Sequence, residues 1–222
     1  MNIHHHPNEA LLFDYSAGAL GEAWSLAIAT HLALCPACRR TVAEMETLGG
    51  GLLESVAPET VDDGALDAVF ACLEQSPIIV ETPIPRPVQQ DDDGIPGLPQ
   101  PLRGYIGGDL DTVPWRRLGL GAYQSVIPTQ ETDASVRLLR IPAGRPVPEH
   151  THGGLELTLV LAGAFSDSTG RYGRGDLQEA DETLEHQPHA ADGEDCICLA
   201  VTDAPLRFKS LAARMVQPLL GI

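Results

Sequence analysis

The sequence predicts an α+β chain of two domains, helical first and all-β second, and three observations carry that prediction. Residues 83–101, PIPRPVQQDDDGIPGLPQP, hold six prolines and three consecutive aspartates with few large apolar groups. Proline removes backbone donors and fixes φ while the aspartates repel one another, so the stretch is expected to be an extended, mobile linker. Before it, apolar residues recur at three- and four-residue spacings; after it come short runs of β-formers broken by glycine and proline. The expected boundaries are 1–80 for the helical part, 81–101 for the linker and 102–222 for the β part, with a modest core in each.

In chain order, Asn8 can cap a first helix carrying Leu11, Leu12 and Tyr15 and stopped near Gly18. Leu20 to Leu34 is rich in alanine and leucine and reads as a second helix. Pro36 stands where the first residue of a third would, and that helix runs to about Val56 across the weakening glycines 49–51. Asp62 or Asp63 can cap a fourth through Leu73, with Cys72 expected in its core face beside Val69 and Leu73. Beyond the linker, YQSVIP, SVRLLRIPAG, LELTLVLAGAF, DCICLAVTD and LRFKS read as strands whose spacing suits an antiparallel sandwich or barrel.

Composition excludes several functions. A formal net charge of −17 and a single lysine, Lys209, oppose direct binding to DNA or RNA. No segment approaches the roughly 20 apolar residues that span a bilayer, and MNIHHHPNEA lacks a signal-peptide pattern, so a cytoplasmic protein with no membrane partner is expected. In a reducing compartment five cysteines read as ligands, redox-sensitive thiols or core residues rather than a disulfide framework. Residues 1–80 carry eleven acidic against two basic groups, which suits either a basic partner or a solvated surface.

HLALCPACRR, residues 31–40, holds His31, Cys35 and Cys38 in the pattern H-x3-C-x2-C. A tetrahedral structural zinc site takes four N or S ligands, and Cys2His2 is a usual set. The residue before proline disfavours the α region, so Cys35 is expected at a helix junction, with His31 on the last turn of one helix and the cysteines on the first turn of the next. There the helix dipole favours thiolate. The fourth ligand is expected from His4, His5 or His6.

This arrangement resembles the zinc-binding anti-sigma domain, in which an N-terminal His stands 24 residues before H-x3-C-x2-C; His6 and His31 have that gap. The resemblance implies that His6, His31, Cys35 and Cys38 bind Zn2+, with His4 and His5 as substitutes, and that four helices clasp an extracytoplasmic-function (ECF) sigma factor.

Residues 144–163, GRPVPEHTHGGLELTLVLAG, fit G-x5-H-x-H-x3-E-x6-G through Gly144, His150, His152, Glu156 and Gly163. On a strand His150 and His152 share a face, and Gly153–Gly154 allow a bulge or hairpin that brings Glu156 round to them. The pattern resembles the first motif of the cupin superfamily, a double-stranded β-helix or jelly-roll barrel. Its second motif is followed in spacing by Gly175 and His186, although Asp181, Thr183 and Ala190 stand where Pro, Gly and Asn are usual; His189 is a rival ligand. The expected barrel site is therefore His150, His152, Glu156 and His186. Its divalent metal is expected to be zinc, with Mn, Fe, Ni and Cu also compatible with these donors.

An anti-sigma module followed by a cupin resembles the ChrR family over nearly the whole chain. That resemblance implies an anti-sigma factor with no catalytic residues, monomeric or homodimeric, which inhibits an ECF (group IV) sigma factor and releases it under oxidative or photo-oxidative stress such as singlet oxygen or organic peroxide. Cys196 and Cys198, two apart on one strand face, are a possible redox pair. The competing reading is a metal-dependent cupin enzyme, dioxygenase- or isomerase-like, with a helical accessory module.

Overall fold

The computed structural model describes residues 2–75, 97–119 and 121–209. The N-terminal region opens with α1 (Glu9–Ser16), whose cap is Asn8, its side chain accepting from Leu11 N–H at 2.9 Å. Gly18, at φ +67°, turns the chain into α2 (Glu22–Leu34). The cap residue of α2, Gly21, has no side chain to offer, and Glu131 from the β region supplies the missing acceptor, taking Ala23 N–H at 2.9 Å. Cys35 is extended, at φ −106° and ψ 103°, as the following proline requires. Pro36 then begins α3 (Pro36–Glu54), which runs through the three glycines without interruption. The fourth helix, α4 (Ala65–Gln75), buries none of its side chains. Cys72 is accordingly exposed, which corrects its expected place in a core.

Most of the expected linker lies outside the described residues, but its end does not fit the expectation of a mobile segment. Leu98 and Leu102 are buried, and Gln100–Ile106 form α5, closed by Gly107 in the left-handed conformation at φ +74°. Two leucines four residues apart give this stretch enough apolar surface to pack although Pro99 caps the helix and Pro101 stands in its first turn.

A short 3-10 turn (Leu110–Thr112) leads into eleven strands: β1 (Arg116–Gly119), β2 (Ala122–Ile127), β3 (Ser135–Ile141), β4 (His150–Thr151), β5 (Glu156–Ala162), β6 (Ala164–Asp167), β7 (Gly170–Gly173), β8 (Leu177–Ala180), β9 (His189–Ala190), β10 (Cys196–Thr202) and β11 (Arg207–Phe208). A six-stranded sheet has the order β1-β2-β3-β10-β5-β8, a three-stranded sheet the order β7-β6-β9, and β4 pairs with β11. All pairings are antiparallel. Val160, Cys196 and Cys198 of the large sheet meet Phe165, Tyr172 and Ala190 of the small one in the barrel interior.

The other face of the large sheet is not solvated. Val136, Leu138, Leu157, Leu159, Leu199 and Val201 continue into one apolar cluster with Leu26, Ile28 and Leu32 of α2 and Leu102 of α5. This corrects the expectation of one core per half: the first cluster belongs to helices and sheet together, the second to the barrel alone. It also explains why LELTLVLA reads as a nearly continuous apolar run, since β5 is covered on both faces. Ile28 lies at the centre of this contact and is fully buried. Ile28→Ala is expected to lower unfolding free energy by about 2–5 kcal/mol, measured by denaturant titration of the full chain.

Candidate metal centres

Two groups of donor side chains stand out. In the first, ligand atoms of His6, His31, Cys35 and Cys38 lie within 4.8 Å of one another. The α2–α3 junction creates three of them. His31 sits on the last turn of α2, Cys35 is the extended residue between the helices, and Cys38 sits on the first turn of α3, where its own N–H points at Cys35 Sγ. His6 arrives from the segment before α1, its Nδ1 at 3.4 Å from both sulfurs, while His31 Nε2 is 3.3 Å from Cys38 Sγ. Donors at the corners of a zinc tetrahedron, about 2.0–2.3 Å from the ion, are roughly 3.3–3.8 Å apart, so these spacings fit.

Protonation fits as well. His31 Nδ1 faces the carbonyl of Gly175 at 2.9 Å and must donate to it, which leaves Nε2 as a lone pair aimed into the group. Burial pushes His31 down to about 4, so the ring is neutral at physiological pH. Burial, then the adjoining Cys35, push the Cys38 thiol up to about 12, a cost that a bound cation removes. His4 and His5 take other parts. Their backbone N–H groups donate to Asp176 at 2.7 and 2.9 Å, and the His5 ring packs on Tyr172 at 4.2 Å between centroids.

The second group comprises His150, His152 and His186, all buried. His150 Nδ1 donates to Pro148 O at 2.8 Å, His152 Nδ1 faces Asp181 O at 3.3 Å, and His186 Nδ1 donates to Asp167 Oδ2 at 2.7 Å. Each ring therefore presents an Nε2 lone pair inward. His150 Nε2 and His186 Nε2 stand 3.1 Å apart, and the buried Nε2 of His152 has no hydrogen-bond partner among the described residues. Three converging lone pairs repel unless a proton or cation joins them, and burial pushes His150 down to about 4, which disfavours the proton. Three imidazoles with oriented Nδ1–H groups are metal-binding chemistry.

Glu156 is not in this group. Gly153–Gly154 carry the chain from the two-stranded sheet of His150 into the six-stranded sheet, so Glu156 starts a different strand from the histidines, and its Oε1 accepts from Thr158 at 2.9 Å. His189 is exposed on β9 and also lies outside the group. Cys196 and Cys198 do share a face, with sulfurs 3.5 Å apart inside the barrel. Their mutual hydrogen bond, then burial, push the Cys198 thiol well above its ordinary value.

A protein described as anti-sigma-E factor ChrR, from Cereibacter sphaeroides, is 48% identical over 222 residues, covering 100% of this chain and 100% of that one. The chain belongs to the ChrR family. Within it, residues 104–205 match the ChrR Cupin-like domain. A solved structure described as Rhodobacter sphaeroides SigE in complex with the anti-sigma ChrR matches at 46% identity and a TM-score of 0.76, covering 91% of this chain and 100% of that chain. The fold of this ChrR-family chain is thus a helical N-terminal region followed by a cupin barrel.

Sequence spacing missed the residues that aim the ligands. Asp167 is fully buried behind His186. Burial alone would push its carboxyl up, but hydrogen bonds from Thr169, Gln178 and His186 hold it down at about 2, so it is ionised and can orient an imidazole. No motif announces it; AFSD is an ordinary strand end. Asp167→Asn is expected to weaken metal binding at the barrel group by roughly 10–100-fold, read by competition with a chelator of known affinity.

Proposed function

We propose that this ChrR-family chain is an anti-sigma factor that binds an ECF sigma factor and keeps it from RNA polymerase. The observation that carries this reading is the apolar surface of α3 and α4. In α4, Leu66, Val69, Phe70 and Leu73 form a stripe at i, i+3, i+4 and i+7, and all four are more than half exposed. Leu48, Leu52 and Leu53 of α3 and Val56 just beyond it are exposed as well. An amphipathic helix normally buries such a stripe, and apolar side chains left exposed along one helix face mark a protein interface. The identity to an anti-sigma factor along the entire chain names the partner class. The acidic excess of residues 1–80 complements the basic DNA-binding surface of a sigma factor.

We read residues 1–80 as the sigma-binding domain, 81–101 as a linker and 102–222 as the cupin domain, in a cytoplasmic regulator rather than an enzyme. Among the described residues no helix is long and apolar enough to cross a membrane. Zinc in the first group, held by His6, His31, Cys35 and Cys38, would tie the N-terminus to the α2–α3 junction. A divalent metal, zinc foremost, would sit among His150, His152 and His186, with Glu156 joining when it exchanges its bond to Thr158 for the cation. Release under oxidative or photo-oxidative stress would start in the barrel. The imidazole group is the better candidate for that start than Cys196 and Cys198, because both sulfurs are buried and the Cys198 thiol is pushed away from its reactive thiolate form.

The test is binding of the full chain to SigE, the partner in the solved relative, by calorimetry before and after removal of metal by a chelator. Tight binding that is lost with the metal supports the reading. Absence of binding by the metal-loaded chain, together with turnover of a small substrate lost in His152→Ala, would favour a cupin enzyme.

A further inference from the structure

Strand β8 and the turn before it touch the supports of both donor groups. On its inward side Gln178 Nε2 donates to Asp167 Oδ2 at 2.7 Å and to Thr169 Oγ1 at 2.9 Å, and Asp167 in turn holds His186. Outward, the same strand and the turn before it hold the first residues of the chain. Asp176 Oδ1 accepts from the N–H groups of His4 and His5, and Leu177 N–H donates to His5 O at 3.1 Å. Glu179 accepts from Asn8 N–H at 2.6 Å and from Asn8 Nδ2 at 2.7 Å. His6 therefore lies between two anchor points, while Gly175 O in the same turn accepts from His31 Nδ1. Two of the four donors of the first group are aimed by the barrel.

These anchors matter because residues 2–7 belong to no helix or strand. A ligand on such a segment must be ordered when the metal binds, at a cost of about 1–2 kcal/mol per residue fixed. Asp176 is built to order it in advance. Its side chain is nearly buried and takes three backbone N–H groups, including Gly173 N–H at 2.8 Å, which locks the turn itself. Alternation along a strand then lets neighbouring side chains of β8 serve opposite sides, Gln178 inside and Glu179 outside, while the Leu177 N–H at the sheet edge holds His5 O.

We propose that β8 and its preceding turn position both metal groups, Asp176 and Glu179 holding the segment that carries His6 and Gln178 holding the Asp167–His186 pair, so that retention of metal at the first group depends on the barrel. The inference rests on the first group being a metal site. It adds a physical route by which a change at the barrel histidines reaches the sigma-binding region without crossing the linker.

The test uses the full chain loaded with Co2+, because thiolate-to-cobalt absorption arises from Cys35 and Cys38 and is silent for an all-imidazole site. Its decay after addition of excess chelator gives the release rate from the first group. Asp176→Ala is expected to speed release by roughly tenfold or more and Gln178→Ala by about threefold, in line with the loss of groups that orient ligands. Glu179→Ala, a change at a partly exposed contact, is expected to speed it severalfold with unchanged circular dichroism, which separates lost positioning from lost fold. A wild-type chain without thiolate–cobalt absorption would sink the metal reading of the first group. Absorption with wild-type release in Asp176→Ala and Glu179→Ala overturns the inference, and fast release in those two with wild-type release in Gln178→Ala overturns the dependence of the first group on the barrel interior.

Discussion

Phe70→Asp is expected to weaken binding to SigE by roughly 100-fold or more while leaving the fold of the chain unchanged. Phe70 is 56% exposed on a helix that buries no side chain, so its replacement removes nothing from either apolar cluster. At an interface the same ring would be an anchor, and truncating an aromatic anchor costs about 2–4 kcal/mol. A carboxylate there adds the penalty of burying an unpaired charge. The measurement is calorimetric titration of the full-length variant, with thermal unfolding of the free chain beside it. Unchanged affinity would remove α4 from the docking surface, whereas a lowered melting temperature would show that the stripe packs within the chain.

Cys38→Ser is expected to abolish metal binding at the first group and to lower affinity for SigE by a comparable factor. The hydroxyl is a poor replacement for a thiolate toward zinc, and Cys38 Sγ stands at contact distance from both His6 and His31, so no other donor among the described residues replaces it. In small zinc peptides the metal accounts for all folding free energy, about 10–16 kcal/mol of apparent binding. Here the loss is expected to be local, because α2 keeps Ala23, Leu26 and Ile28 in the cluster it shares with the sheet. Metal content by mass spectrometry should fall while circular dichroism changes little, and binding to SigE should fall with the metal. Full affinity in a chain that has lost this metal would overturn the clamp role of the site.

Much of this protein was legible because its informative residues come in local patterns. Asn8 caps α1, Pro36 begins α3 and Cys35 is extended for reasons contained within a few residues. The H-x3-C-x2-C spacing places three donors at one helix junction whatever else the chain does. Short runs of β-formers gave β2, β3, β5 and β10, and the H-x-H spacing gave the paired histidines of the barrel. Strands β8 and β9 left no readable pattern; β9 is two residues long and β8, LQEA, is not rich in β-formers. The helix at Gln100–Ile106 was hidden among prolines, since the two leucines that hold it gain their stability from contacts with distant residues.

What the sequence determined by itself was the order of helix and barrel, the two groupings of His and Cys side chains and the acidic excess of the helical part, all consequences of spacing and composition. What tertiary structure decided was which atoms face each other. It set Glu156 in a different sheet from His150, its carboxylate bonded to Thr158, and placed Asp167 behind His186 and Gly175 behind His31. It also brought His4, His5 and Asn8 onto β8 and the turn before it, more than 160 residues away in sequence. Hydrogen bonds of that separation leave no periodic trace, because either partner can be any residue with a backbone amide or carbonyl; only the folded chain brings them together.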